Sequence, residues 1–142
     1  MFGFKKASQV VAPVEGTIIP LSEVPDPVFA QGMLGEGFAV ETAGDIVRSP
    51  VDGEIIVLFP TAHAFAVRTP KGEEVLVHIG VDTVSLKGEG FHALAAQGDQ
   101  VKAGTPVVQL TDLVALAEKV PSLVTIVVST DLPLTAAKVE SS

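Results

Sequence analysis

No cysteine occurs in the 142-residue chain, so its fold owes nothing to oxidation and it cannot itself form a disulfide, a thioester or a thiophosphate. Any thiol chemistry belongs to a partner. Basic residues are scarce as well: nine against seventeen acidic ones leave a formal charge of -8, which repels the phosphate backbone that nucleic-acid binders must neutralise. DNA and RNA are therefore not expected partners. Long apolar runs are missing, since stretches such as "VPSLVTIVVST" stop short of the roughly 18–20 residues a membrane-spanning helix needs. The opening "MFGFKKASQV" has no sustained apolar region and no cleavage site, so no secretory signal is expected. Residues 1–10 are read as a flexible cytoplasmic start, too short to show the periodicity of an amphipathic membrane contact.

What is present is a 47% hydrophobic composition, enough for one core without metal or disulfide staples. Residues 11–135 are expected to form that domain and residues 136–142 a flexible tail. Short runs rich in Val, Ile, Leu and Phe are broken at short intervals by Gly, Pro or Asp, the punctuation of an all-β fold. The expectation is an antiparallel β-sandwich with at most short helices. The best helix signal is "TDLVALAEKV", where Thr111 or Asp112 can cap a short helix that ends before Pro121.

Strand-turn units repeat within the chain. "APVEGTIIPL" at residues 12–21 returns as "SPVDGEIIVL" at 49–58, and "GEGFAV" at 35–40 is echoed by "GEGFHAL" at 88–94. Such copies suggest a sheet built from related halves, with the two Pro-Val-acid-Gly turns in comparable places. "AAQGDQVKAGTPVVQL" sets glycine-containing turns on both sides of Val101 and is read as opening a hairpin before a buried strand. A swinging-arm carrier of biotin or lipoate would need an exposed lysine turn, and Lys71 and Lys102 lack the flanking pattern.

Of only three histidines, two fall in the apolar runs of "PTAHAFAVRTPKGEEVLVHIGVDTV". Read as a hairpin turning at Pro70 and Lys71, the two strands place His63 opposite His78, Phe65 opposite Leu76 and Arg68 opposite Glu73, with facing Cβ atoms roughly 4.5–5.5 Å apart. Both rings could then reach one phosphoryl group or one metal ion. A type I turn with a glycine bulge suits Pro-Lys-Gly equally, offers Arg68 the neighbouring Glu74 instead, and would send the rings to opposite faces. A lone histidine in an apolar strand is more often a hydrogen-bonded core residue than a catalyst, so the pair carries weight only if the rings meet.

"VHIGVDTVSLKGEGF", with "TAHAF" ahead of it and "APVEGTI", "VPDPVFAQGMLGEGFAV", "SPVDGEI" and "GDQVKAGTPV" around it, resembles the glucose-type enzyme IIA domains of the bacterial phosphoenolpyruvate-dependent sugar phosphotransferase system. The likeness runs from Val11 to Thr130. It implies a compact antiparallel β-sandwich whose active histidine accepts a phosphoryl group from the phosphocarrier HPr and passes it to a cysteine on the IIB domain of a sugar permease. By motif, His78 is implied to be the phosphorylated nucleophile, His63 the neighbour that holds the phosphoryl group, and Thr61 the threonine that orients His63. The resemblance requires no cofactor, but lets His63 and His78 share a zinc ion whose other ligands come from elsewhere. It implies a cytoplasmic protein that docks transiently at the inner membrane face through the permease, and leaves room for regulatory protein partners.

Docking on two partners asks for an exposed apolar patch around the nucleophile. Position in the matched segments nominates Val28, Phe29, Met33, Phe59, Leu76 and Val84 for it, with Asp26 and Asp82 meeting basic partner residues. Lys87 reads as a turn residue and His92 as an ordinary polar one. Departures from the family pattern are Ala62 where many relatives have Asn, the added Pro27, and Ser85 where an acid is common. The main competing class is a zinc peptidase on a similar sandwich, which would need a third strong ligand and a His-x-His pair, and no His-x-His occurs. The other is a binding module that no longer transfers phosphate.

Overall fold

The computed structural model describes residues 10–132 and residue 134, without the side chains of Val84 and Ser85. The expected flexible tail and residues 1–9 of the expected flexible start lie outside the described residues. Val10, the residue just before the boundary drawn from the sequence, is buried in the core.

Ten strands and two short α-helices follow in chain order: β1 (Gly16–Pro20), α1 (Pro27–Ala30), β2 (Glu36–Thr42), β3 (Ile46–Arg48), β4 (Gly53–Leu58), β5 (Ala64–Arg68), β6 (Glu74–Val81), β7 (Phe91–Ala93), β8 (Gln100–Val101), β9 (Pro106–Leu110), α2 (Leu113–Lys119) and β10 (Ser122–Ser129). All strand pairs are antiparallel, in a seven-stranded sheet ordered β1-β2-β10-β6-β5-β4-β8 and a three-stranded sheet ordered β3-β9-β7. The antiparallel sandwich with short helices is thus the observed class.

Period-two alternation explains where the core lies. Phe38, Val40, Phe65, Val67, Val75, Val77, Ile79 and Val127 point from the larger sheet toward Val47, Val107 and Val108 of the smaller one. Intervening residues of the same strands, Ala39, Ile126 and Val128, face the other way and pack under Leu21, Val24 and Phe29 from the segment containing α1. The larger sheet is therefore apolar on both faces where that segment covers it. On β6 this second face carries Leu76 and His78, with His78 paired to Ile126 of β10.

The repeated turns do occupy comparable places. β1 and β4 start at the matching glycines, and the turns ahead of them bond to each other, Val11 N to Pro50 O at 2.9 Å and Arg48 N to Pro13 O at 2.7 Å. The "GEGF" echo does not share a sheet, since its copies lead into β2 and β7. Asp112, not Thr111, caps α2, accepting from Ala115 N at 3.1 Å. The segment around Val101 is not a hairpin: β8 pairs with β4, while β9 pairs with β3 and β7. The turn between them carries the chain from one sheet to the other, and Ser49 holds the end of it that leads into β9, its N–H donating to Thr105 O and its carbonyl accepting from Gly104 N.

Candidate functional site: two imidazoles on the covered face

The β5–β6 hairpin closes through Thr69 to Glu73, with Gly72 N bonded to Thr69 O, Thr69 N bonded to Glu73 O, and Gly72 at φ 88°. That left-handed glycine adds one residue to the turn and selects the bulged register. Ala64 faces His78, Phe65 faces Val77, and Arg68 faces Glu74, to which it is ion-paired at 3.1 Å. The facing pairs His63–His78, Phe65–Leu76 and Arg68–Glu73 expected from a two-residue turn are therefore corrected by one position. The rings nevertheless meet, with centroids 5.2 Å apart and planes at 81°.

Convergence in the shifted register depends on the chain just before β5. Ala62 has φ 59°, a left-handed conformation unusual for a residue with a side chain. Its N–H donates to Phe59 O, and Phe59 N donates to Ala64 O, so the turn is closed on both sides. His63 lies in this bend, outside the regular alternation of β5, while its carbonyl still accepts from Ile79 N at 2.8 Å. A bulged register would part the rings only if His63 belonged to the strand.

Each ring is held at one nitrogen. His78 Nδ1 lies 2.9 Å from Gly80 O; a carbonyl can only accept, so the neutral ring carries its proton on Nδ1 and leaves the Nε2 lone pair free. Gly80 has φ 78°, where a Cβ would stand 2.4 Å from Thr83 Cγ2. His63 Nδ1 is hydrogen-bonded to Thr61 Oγ1. Phe29 packs on the His78 ring and Phe59 on the His63 ring, both with centroids 5.2 Å away. His63 is almost wholly buried and His78 half-buried.

Burial pushes the His63 imidazole below its ordinary pKa, and the neighbouring His78 adds to that. Burial also lowers His78, outweighing the Gly80 carbonyl and the charges of Asp26 and Asp82, which favour its cationic form. Both rings are neutral at neutral pH. A neutral imidazole with a free Nε2 is the form that attacks phosphorus. The same nitrogens suit zinc: with Nδ1 of each ring engaged, two Nε2 atoms remain as ligands. Among the described residues no group of three or more His, Cys, Asp or Glu side chains could hold a metal.

The nominated surroundings divide. Val28, Met33 and Phe59 are exposed apolar side chains. Phe29 is not, being 6% exposed and turned into the second core cluster beneath His78, so it supports the ring instead of presenting a docking surface. Leu76 is half-buried against the same cluster, and the side chain of Val84 lies outside the described residues. Asp26 caps α1, accepting from Val28 N at 2.9 Å, and the added Pro27 fills the first helical position, where proline is favoured. Asp82 is exposed at φ 60°, and Lys87 at φ 55° is the turn residue expected. His92 is exposed on β7, away from the pair in sequence and sheet. Sequence reading passed over Thr83, whose only signal was its place three residues after Gly80.

A sandwich that sets a tautomer-fixed imidazole beside a second imidazole able to hold an anion defines a class, the phosphoryl-carrier domains of phosphotransferase relays. Comparison with known proteins agrees. The chain belongs to the EIIA 1 family of the phosphoenolpyruvate-dependent sugar phosphotransferase system, whose model matches residues 8–133. It is similar to the glucose-specific EIIA component of Oceanobacillus iheyensis, 52% identical over 120 residues that cover 84% of this chain and 72% of the relative. With the Halalkalibacterium halodurans component of the same name it shares 47% identity over 123 residues, covering 87% and 70% of the two chains. The solved glucose permease IIA of Mycoplasma capricolum superposes with a TM-score of 0.86 at 44% identity, covering 93% of this chain and 85% of that one. The chain is thus a phosphoryl carrier and phosphotransferase component of a sugar phosphotransferase system; the zinc-peptidase reading is not favoured.

Proposed function

We propose that His78 is the phosphorylated residue, taking the group on Nε2 from phospho-HPr and giving it to a IIB-domain cysteine of a sugar permease. In the first step the bond from phosphorus to the donor imidazole breaks as the bond to His78 Nε2 forms; in the second a cysteine thiolate displaces His78. The observation that carries this reading is the Nδ1 bond to Gly80 O at 2.9 Å, which leaves the Nε2 lone pair free on a ring whose centroid lies 5.2 Å from that of His63. Phosphoryl transfer asks little covalent work of the protein beyond alignment and charge stabilisation. Thr61 can donate to His63 Nδ1, which places the His63 proton on Nε2, where it donates to a phosphoryl oxygen.

The exposed Val28, Met33 and Phe59, with Asp26 and Asp82, form the docking surface in this reading, and both partners use it in turn. Work of this kind belongs in the cytoplasm, with transient docking at the inner membrane face; among the described residues no helix is long and apolar enough to cross a membrane. The relatives' names point to glucose, though the sugar itself is bound by another domain. Zinc would take Nε2 of both rings when a partner supplies further ligands, His63 Nδ1–H then donating to Thr61 Oγ1, and regulatory proteins would use the same face.

Incubation with phosphoenolpyruvate, enzyme I and HPr tests the reading. Acid-labile phosphate should appear on His78 and vanish in His78→Gln. His63→Gln should still be phosphorylated but pass the group on poorly; normal onward transfer from that variant counts against the role given to His63.

A further inference from the structure

Two consecutive carbonyls at the end of β6 are spoken for. Gly80 O accepts from His78 Nδ1 at 2.9 Å, and Ile79 O accepts from Thr83 Oγ1 at 2.6 Å. Thr83 is fully buried and opens the 3-10 turn Thr83–Leu86. Its hydroxyl ties that turn back to the strand, and its methyl lies where a side chain on Gly80 would be, 2.4 Å from the ideal Cβ position. Between these two anchor points the backbone takes φ 78° at Gly80 and φ 60° at Asp82, so the peptide carrying Gly80 O is turned out of the regular ladder and toward the His78 ring. On the far side, the N–H of Ile79 donates to His63 O at 2.8 Å. Ile79 thus links the backbone of His63, through its N–H, to Thr83, through its carbonyl.

We propose that Thr83 is a positioning residue for the phosphoryl-accepting imidazole: its buried hydroxyl and methyl hold the Ile79–Gly80 backbone so that Gly80 O selects the Nδ1–H tautomer of His78. The part concerning transfer rests on the phosphohistidine reading above; the part concerning the tautomer does not. Thr83 touches neither ring in this account and acts only through Gly80. Removing its hydroxyl leaves the Ile79 carbonyl without that partner in a buried place, and the peptide turns to find another, taking Gly80 O off the axis of Nδ1.

The test uses the full chain as Thr83→Val, which keeps the volume and loses the hydroxyl, and Thr83→Ser, which keeps the hydroxyl. Long-range proton–nitrogen correlation spectra at a pH where both rings are neutral read the His78 tautomer directly. The native protein is expected to show Nδ1–H, Thr83→Val a shift toward Nε2–H, and Thr83→Ser the native pattern. Phosphorylation by phospho-HPr should slow about tenfold in Thr83→Val, the lower end of what partners one step removed from a working imidazole contribute at metal sites, and recover in Thr83→Ser. If Thr83→Val does not fold, Thr83→Ala, which adds no bulk, is read in the same way. A hydroxyl-free variant that keeps the native tautomer overturns the proposal, even if it melts earlier. Failure of the native protein to take phosphate on His78 would sink the transfer reading and leave the tautomer result standing on its own.

Discussion

Gly80→Ala tests the local geometry on which the nucleophile depends. Gly80 is buried at φ 78°, and a methyl there would meet Thr83 Cγ2 at 2.4 Å. Left-handed backbone costs a residue with a side chain about 1–2 kcal/mol, and forcing a methyl into a filled interior costs about 1–3 kcal/mol. Alanine's smaller unfolded-state entropy offsets about 0.4–1 kcal/mol of this, leaving a net loss of about 2–4 kcal/mol. For a chain of this size such a loss lowers Tm by roughly 8–15 °C. Scanning calorimetry reads that shift, and the phosphorylation rate of the folded variant should fall as Gly80 O leaves the His78 ring. A Tm within about 2 °C of the native value, with an unchanged rate, would refute the reasoning, because it would mean that the end of β6 is not held in the left-handed form.

Thr61→Val removes the hydroxyl bonded to His63 Nδ1; loss of one such bond, about 1–1.5 kcal/mol, should slow transfer from phospho-His78 to the IIB domain about tenfold while phosphorylation by HPr changes less. Because burial holds both histidines below their ordinary pKa near 6.5, the unfolded chain binds more protons than the folded one as pH falls through that value, so stability should drop between about pH 7.5 and 5.5. Denaturant titration of the native protein and of a His63→Gln, His78→Gln double variant checks this, and equal slopes in the two would contradict it. Lys87→Gly, at an exposed φ of 55°, relieves left-handed strain of about 1–2 kcal/mol at an entropy cost of about 0.4–1 kcal/mol, and should raise Tm slightly with transfer unchanged.

Much of this architecture was legible in the sequence because apolar alternation and glycine punctuation are local signals. They set β5 and β6 side by side, capped α2, and put the two Pro-Val-acid-Gly turns in matching places. The hairpin register was not legible, since Pro70-Lys71-Gly72 suits two turns and Arg68 finds a carboxylate in both. What rescued the meeting of the rings was Ala62 in a left-handed bend, a conformation that alanine disfavours and that no propensity would predict. Phe29 and Val28 are neighbours in one run, yet a single helical turn sends the first inward and the second outward. The crossing between sheets after Val101 likewise depends on Ser49, more than fifty residues earlier in the chain, which no local window contains.

The most direct measurement is the position of the phosphorus atom. With nitrogen-15-labelled protein charged by phosphoenolpyruvate, enzyme I and HPr, phosphorus–nitrogen coupling should place the group on Nε2 of His78, with Nδ1 still protonated toward Gly80 O. Phosphorus on Nδ1 of His78, on His63, or on neither ring would contradict the account.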